Sequence, residues 1–165
     1  MKLNLLILLL PVVPLFFVVP TYSQDNHELE HEHSDAFNEI GAAIGPVYDI
    51  SEDNFGVGTH LHYTRMMKGK CKNIGVGGGL EALFAEHNHY NLSAMVVYRP
   101  VHPLWFSLGP GITYFAHENE YSFSVHIETG YEFEVGPIHV GPMIEYAYAG
   151  GDQHVMIGIH VGFPF

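Results

Sequence analysis

His60 and His62 stand two residues apart, as do His126 and Glu128, and in an extended strand that spacing sends both members of a pair to the same side. Imidazole nitrogens and carboxylate oxygens together are ligands for divalent zinc, copper or nickel. Glu81, His139, Glu145 and His160 carry the same chemistry into other parts of the chain. Any alternating polar strand face yields such pairs, so two readings stay open: a metal site, or a hydrogen-bonded plug of imidazoles and glutamates. The two pairs lie on different segments and could meet only across an enclosed interior. Ser124, His126 and Glu128 mimic a catalytic triad in composition. Neighbours at i, i+2 are roughly 6.5–7 Å apart at Cα, too far for the required hydrogen bonds, and the chain is expected not to be an enzyme. Near the N-terminus, HELEHEH places His27, His31 and His33 among acidic residues, a compositional metal-binding signal on a solvated tail.

The elements that must position these groups are strands. From Phe37 onward, segments of about 10 residues with alternating polarity are separated by clusters of turn formers. Eight segments are expected, at 36–48, 56–66, 73–85, 91–99, 104–116, 121–134, 137–148 and 154–165. In the sixth, Tyr121, Phe123, Val125, Ile127, Thr129, Tyr131 and Phe133 occupy one face, while Ser122, Ser124, His126, Glu128, Gly130, Glu132 and Glu134 occupy the other. The last repeats the pattern, with Val155, Ile157, Ile159, Val161, Phe163 and Phe165 against His154, Met156, Gly158, His160 and Gly162. The apolar face is fringed by aromatics at strand ends (Tyr63, Tyr98, Phe106, Tyr114, Tyr121, Phe133, Tyr148 and Phe163), which suits the interfacial girdles of a membrane barrel. Gly75, Gly77 and Gly79 fall on the opposite face, as a narrow, crowded interior requires. A soluble barrel would carry the reverse polarity, apolar inside and polar outside.

Composition narrows the function. The chain has 18 acidic residues, 6 basic ones and 13 histidines, for a formal net charge of −12. Nucleic-acid binding needs the opposite sign and is excluded as a class; cations are the natural partners. Lys2 followed by an apolar run to Pro20 and then Thr21-Tyr22-Ser23 has the parts of a secretory signal peptide over residues 1–23. Pro11, Pro14 and Pro20 argue against a regular spanning helix. An acidic, histidine-rich tail over 24–35 follows, then a domain over 36–165. Cys71 is the single cysteine, so no internal disulfide forms.

An exported chain of eight alternating strands ending in Phe165 resembles small eight-stranded outer-membrane barrels of the OmpX/OmpA type. That resemblance implies an all-β, antiparallel, up-and-down transmembrane barrel in the outer membrane, surrounded by its lipid. It also implies that the terminal strand, with Phe163 and Phe165, is the signal read by the barrel-assembly machinery. Pro164 departs from the pattern, because it lacks a backbone donor and should pair only at an end or edge. The outward loops are also shorter than such relatives usually have.

With both barrel termini periplasmic, Arg65, Lys68, Lys70, Lys72 and Arg99 fall at or near the periplasmic rim. The outer rim should then carry Asp49, Glu52, Asp53, Glu86, His87, His89, His117, Glu118, Glu120 and Asp152, either as ordinary solvated loops or as a funnel for cations. The expected function is a barrel whose His- and Glu-rich lumen binds or passes divalent cations. The competing expectation is a structural or adhesive barrel with a plugged interior.

Overall fold

The computed structural model describes residues 38–165. The segment expected to be a signal peptide and the tail with His27, His31 and His33 lie outside them. The described chain folds into β1 (Asn38–Asp49), β2 (Asn54–Met66), β3 (Ile74–Phe84), β4 (His89–Val101), β5 (Leu104–Phe115), β6 (Glu120–Tyr131), β7 (Phe133–Val135), β8 (Ile138–Ala149) and β9 (Asp152–Pro164). Every pairing is antiparallel, and the sheet runs β6-β5-β4-β3-β2-β1-β9-β8-β7. The β6–β8 pairing closes it. Gly130 faces Met143 and Phe133 faces Val140, so β7 continues β6 in the same register. The molecule is therefore a closed eight-stranded barrel, as the alternation predicts.

Burial alternates strictly along most strands. Leu61, Leu80, Leu92, Leu108, Ile127, Ile144 and Ile159 point outward at the middle of the wall. Tyr63, Tyr98, Phe106, Phe133 and Phe163 ring one end of this aliphatic belt, and Phe55, Tyr90, Tyr121 and Tyr148 ring the other. A water-facing surface of this kind would be prohibitively apolar; in lipid it is the ordinary outside of a spanning barrel. No helix among the described residues is long and apolar enough to cross a membrane.

The connections are short. Gly150 and Gly151, both at positive φ, make a two-residue hairpin between β8 and β9, the backbone that tight hairpins demand. The end of the barrel holding Asn38 and Phe165 also carries Arg65, Lys68, Lys70, Lys72 and Arg99, as the strand order requires. At the opposite end, the loops and adjoining strand ends carry Asp49, Glu52, Asp53, Glu86, Glu118, Glu120 and Asp152 and no Lys or Arg.

Pro164 takes the end position expected of it, as the last residue of β9. Pro164 stands opposite Glu39, and the flanking Asn38–Phe165 pair exchanges both backbone bonds, at 3.1 and 2.8 Å. Hydrogen-bonded and non-hydrogen-bonded pairs alternate in an antiparallel ladder. Pro164 therefore occupies a position that needs no donor toward β1, and the terminal pairing stays regular.

Candidate metal centre

The inward positions of the strands fill the lumen with a hydrophobic minority (Val47, Leu83, Trp105, Met143 and Met156) and a polar majority. All eight lumen residues expected as ligands turn inward. His60, His62, Glu81, His126, Glu128, Glu145 and His160 are buried, and His139 is half-buried at the terminus end. They form two clusters instead of one site.

The cluster nearer the termini joins β1, β2, β4, β8 and β9. Arg99 donates to Glu39 from Nη2 at 2.7 Å and approaches Glu132 from Nη1 at 3.2 Å. His139 Nδ1 meets Glu39 Oε2 at 3.1 Å. His62 and His160 stack with ring centroids 5.1 Å apart and planes 9° apart, and their Nε2 atoms face each other at 3.4 Å. Glu39 Oε1 lies 4.0 Å from His62 Nε2. Glu39, His62 and His160 thus each present a ligand atom within 4.8 Å of the others.

The backbone keeps the space before the two imidazoles open. Gly41 faces His62 on one side and Gly162 on the other. A Cβ at Gly41 would press on His62 Nε2 and stand 2.6 Å from His160 Nε2. The two rings therefore lie close against Gly41, in space that any side chain at that position would take. On the far side of the His160 ring, Nδ1 lies 3.4 Å from Glu132 Oε1. A carboxylate behind a histidine is the usual device for fixing a ligating ring.

The second cluster sits deeper, on β2, β3, β6 and β8. His126 Nδ1 meets Glu145 Oε1 at 2.6 Å and Glu81 Oε2 at 3.1 Å, and His60 Nδ1 lies 3.6 Å from Glu128 Oε1. His60 and Glu128 come from the two sequence pairs and do meet across the lumen. His154 Nε2 holds Glu81 Oε1 at 3.1 Å. Each cluster adjoins a recess of about 10 Å³, scarcely room for one water. The lumen is thus a packed interior and not an open solute channel.

The rim differs from expectation at two residues. His89 opens β4 and is buried, its ring edge against Phe115 at 4.5 Å. Asp49 is buried as well and accepts backbone N–H bonds from Ser51 and Glu52 at 2.9 and 3.1 Å, so it shapes the turn. The strands run further toward the loop end than the sequence clusters suggest, which draws both side chains inside. Glu86, His117, Glu118 and Glu120 are exposed, and His87 is partly so, with Nδ1 2.8 Å from Glu52 Oε2.

Two further observations concern residues outside the expected ligand set. Glu39 was not among the expected ligands, although the phase of β1, with Gly41, Ala43, Gly45 and Val47 inward, places it on the lumen side. The Ser124–His126–Glu128 series does not assemble as a triad. Ser124 Oγ accepts from Asn91 Nδ2 at 2.5 Å, while His126 is engaged by Glu81 and Glu145.

Comparison with known proteins gives likeness in structure only. No family model matches the sequence, and no curated protein does. The crystal structure of neisserial surface protein A superposes with a TM-score of 0.57 at 11% identity, over 78% of this chain and 96% of that one. The outer membrane enzyme PagL gives 0.53 at 14% identity, over 77% of this chain and 99% of that one. A de novo designed transmembrane β-barrel gives 0.53 at 16% identity, over 77% and 95%. The fold is that of small outer-membrane barrels.

Proposed function

We propose that this chain is a non-enzymatic outer-membrane barrel that binds a divalent cation in its lumen, between His62, His160 and Glu39. The barrel termini and the basic rim face the periplasm, and the acidic loop end faces outward and gathers cations. The observation that carries the binding reading is the pair of Nε2 atoms facing each other at 3.4 Å over the side-chain-free Gly41. Two nitrogens bound to one tetrahedral zinc at about 2.0–2.1 Å are separated by about 3.3–3.4 Å, so the rings already stand at ligand spacing. Glu39 supplies the third ligand, and Glu132 stands behind His160 with Oε1 3.4 Å from its Nδ1. Arg99 tempers the affinity, because it competes for Glu39.

Zinc is the first choice for a set of two imidazoles and a carboxylate, with copper and nickel next. Likeness to the enzyme PagL does not carry catalysis here, since Ser124 is committed to Asn91 and, among the described residues, it makes no hydrogen bond to a histidine. The competing plug reading draws on the Arg99–Glu39–Glu132 network, which ties three segments of the wall together without any ligand.

Zinc titration of the refolded full chain by calorimetry tests the reading, with His160→Gln and with the tail histidines 27, 31 and 33 replaced by alanine. A tight equivalent that survives the tail replacements and disappears in His160→Gln supports it. Unchanged uptake in His160→Gln, or loss of all uptake with the tail histidines, overturns it.

A further inference from the structure

The deeper cluster uses neither His62 nor His160, and it contains two donor groups that share a residue. His60, Glu128 and Glu145 each bring a ligand atom within 4.8 Å of the others, and Glu81, His126 and Glu145 do the same. Glu145 belongs to both groups. Its Oε1 is the atom that meets His126, whereas its Oε2 is buried without a hydrogen-bond partner. Toward the other group, His60 Nδ1 and Glu128 Oε2 are also buried and unpartnered. None of these five side chains belongs to a residue more than 8% exposed.

We propose that this cluster is a two-cation centre bridged by the Glu145 carboxylate, with Glu81 and His126 on one ion and His60 and Glu128 on the other. Charge is the first argument. Three carboxylates converge where Arg99 does not reach, since its guanidinium is committed to Glu39 and Glu132. Buried carboxylates held together need compensating positive charge. Two divalent ions bring four positive charges against the three negative ones.

Hydrogen-bond bookkeeping is the second argument. Buried polar atoms in native proteins nearly always find partners, and four in one cluster call for an occupant. Three of them sit on the His60 and Glu128 side and on the free oxygen of Glu145, and the fourth is His126 Nε2. An ion on that side would satisfy all three. On the other side, His154 anchors Glu81 from behind, in the role a supporting group plays for a ligating carboxylate. Gly79 keeps the wall clear: a Cβ there would stand 2.5 Å from His60 Nε2.

The occupants are therefore divalent cations that accept mixed carboxylate and imidazole ligation, with zinc as the probe. X-ray absorption on the zinc-loaded, refolded full chain provides the test. A zinc–zinc scattering vector at about 3.5–4 Å, the usual spacing of two-metal sites, is expected in the unaltered protein. Its loss in Glu145→Gln, with the heat-dependent gel mobility of a folded barrel retained, completes the case. His60→Gln and His126→Gln should each remove one zinc equivalent. If any variant fails to fold, the unaltered protein alone decides through the presence or absence of the vector. Absence of the vector, or uptake sensitive to only one of the two histidines, overturns the paired centre. Neither result touches the His62–His160 site, whose loss is read separately through His160→Gln.

Discussion

Arg99 on β4 and Glu39 on β1 lie 60 residues apart in the chain and meet at 2.7 Å inside the barrel. The same guanidinium reaches Glu132 at 3.2 Å, so one cation serves two buried carboxylates. Removing one partner of a buried pair leaves uncompensated charge behind, and the typical cost is about 3–5 kcal/mol. Arg99 retains some solvent contact, which favours the lower end. Arg99→Ala should therefore destabilise the zinc-free barrel by about 3 kcal/mol, measured by urea unfolding in detergent micelles. Zinc should restore part of that loss, because a cation at Glu39 supplies charge that Arg99 gave. A variant as stable as the parent would show that the network is not what holds this end.

Gly41 offers a sharper handle on the proposed cation site. Gly41→Ala puts a methyl group against His62 Nε2 and His160 Nε2. The two rings are stacked and buried, so they have little room to retreat. Zinc affinity should fall at least tenfold, while the far-ultraviolet strand signal and heat-dependent mobility stay intact. Equal affinity in the two proteins would mean that zinc does not sit between these nitrogens.

The belt makes a separate prediction about location. Leu80 faces lipid between Leu61 and Leu92, near mid-height. A charge at the midplane of a spanning barrel costs about 2–4 kcal/mol. Leu80→Arg should reduce folding into lipid vesicles by that amount, whereas arginine at Val101, near the rim, should cost less than about 1 kcal/mol. Equal effects at both positions would contradict a membrane-spanning wall.

Strand order, barrel closure and the inward histidines were legible in the sequence because period-two alternation is a local property, repeated in every segment. Which histidines gather around which glutamates was not. His60 and Glu128 are brought together by stagger across a closed sheet, and His62 meets His160 only because β9 returns beside β1. Neither relationship leaves a local mark. Glu39 leaves no such mark either, because Gly41, Ala43, Gly45 and Val47, which follow it on that face, are small or apolar. His89 and Asp49 were misplaced because the clusters of polar residues that suggest loops continue into the strand ends.

At the loop end, His87 and Glu52 provide a pH-dependent tie between the β3–β4 and β1–β2 connections, at 2.8 Å. The Glu52 hydrogen bond holds the His87 imidazolium above its ordinary value; slight desolvation opposes this, and Glu86 and Glu118 reinforce it. The His117 ring lies nearby, tilted by 32° with ring centroids 4.6 Å apart. The folded value of His87 thus lies above its unfolded value. The tie is complete below the unfolded value and is lost as pH rises through the folded one. An imidazole NMR titration should place the His87 midpoint above that of an unperturbed histidine, and Glu52→Gln should lower it. Amide exchange in the β1–β2 loop should quicken over the same rise in pH. A midpoint that ignores Glu52→Gln would leave the loops untied, with their acidic residues acting on cations only through the field they share.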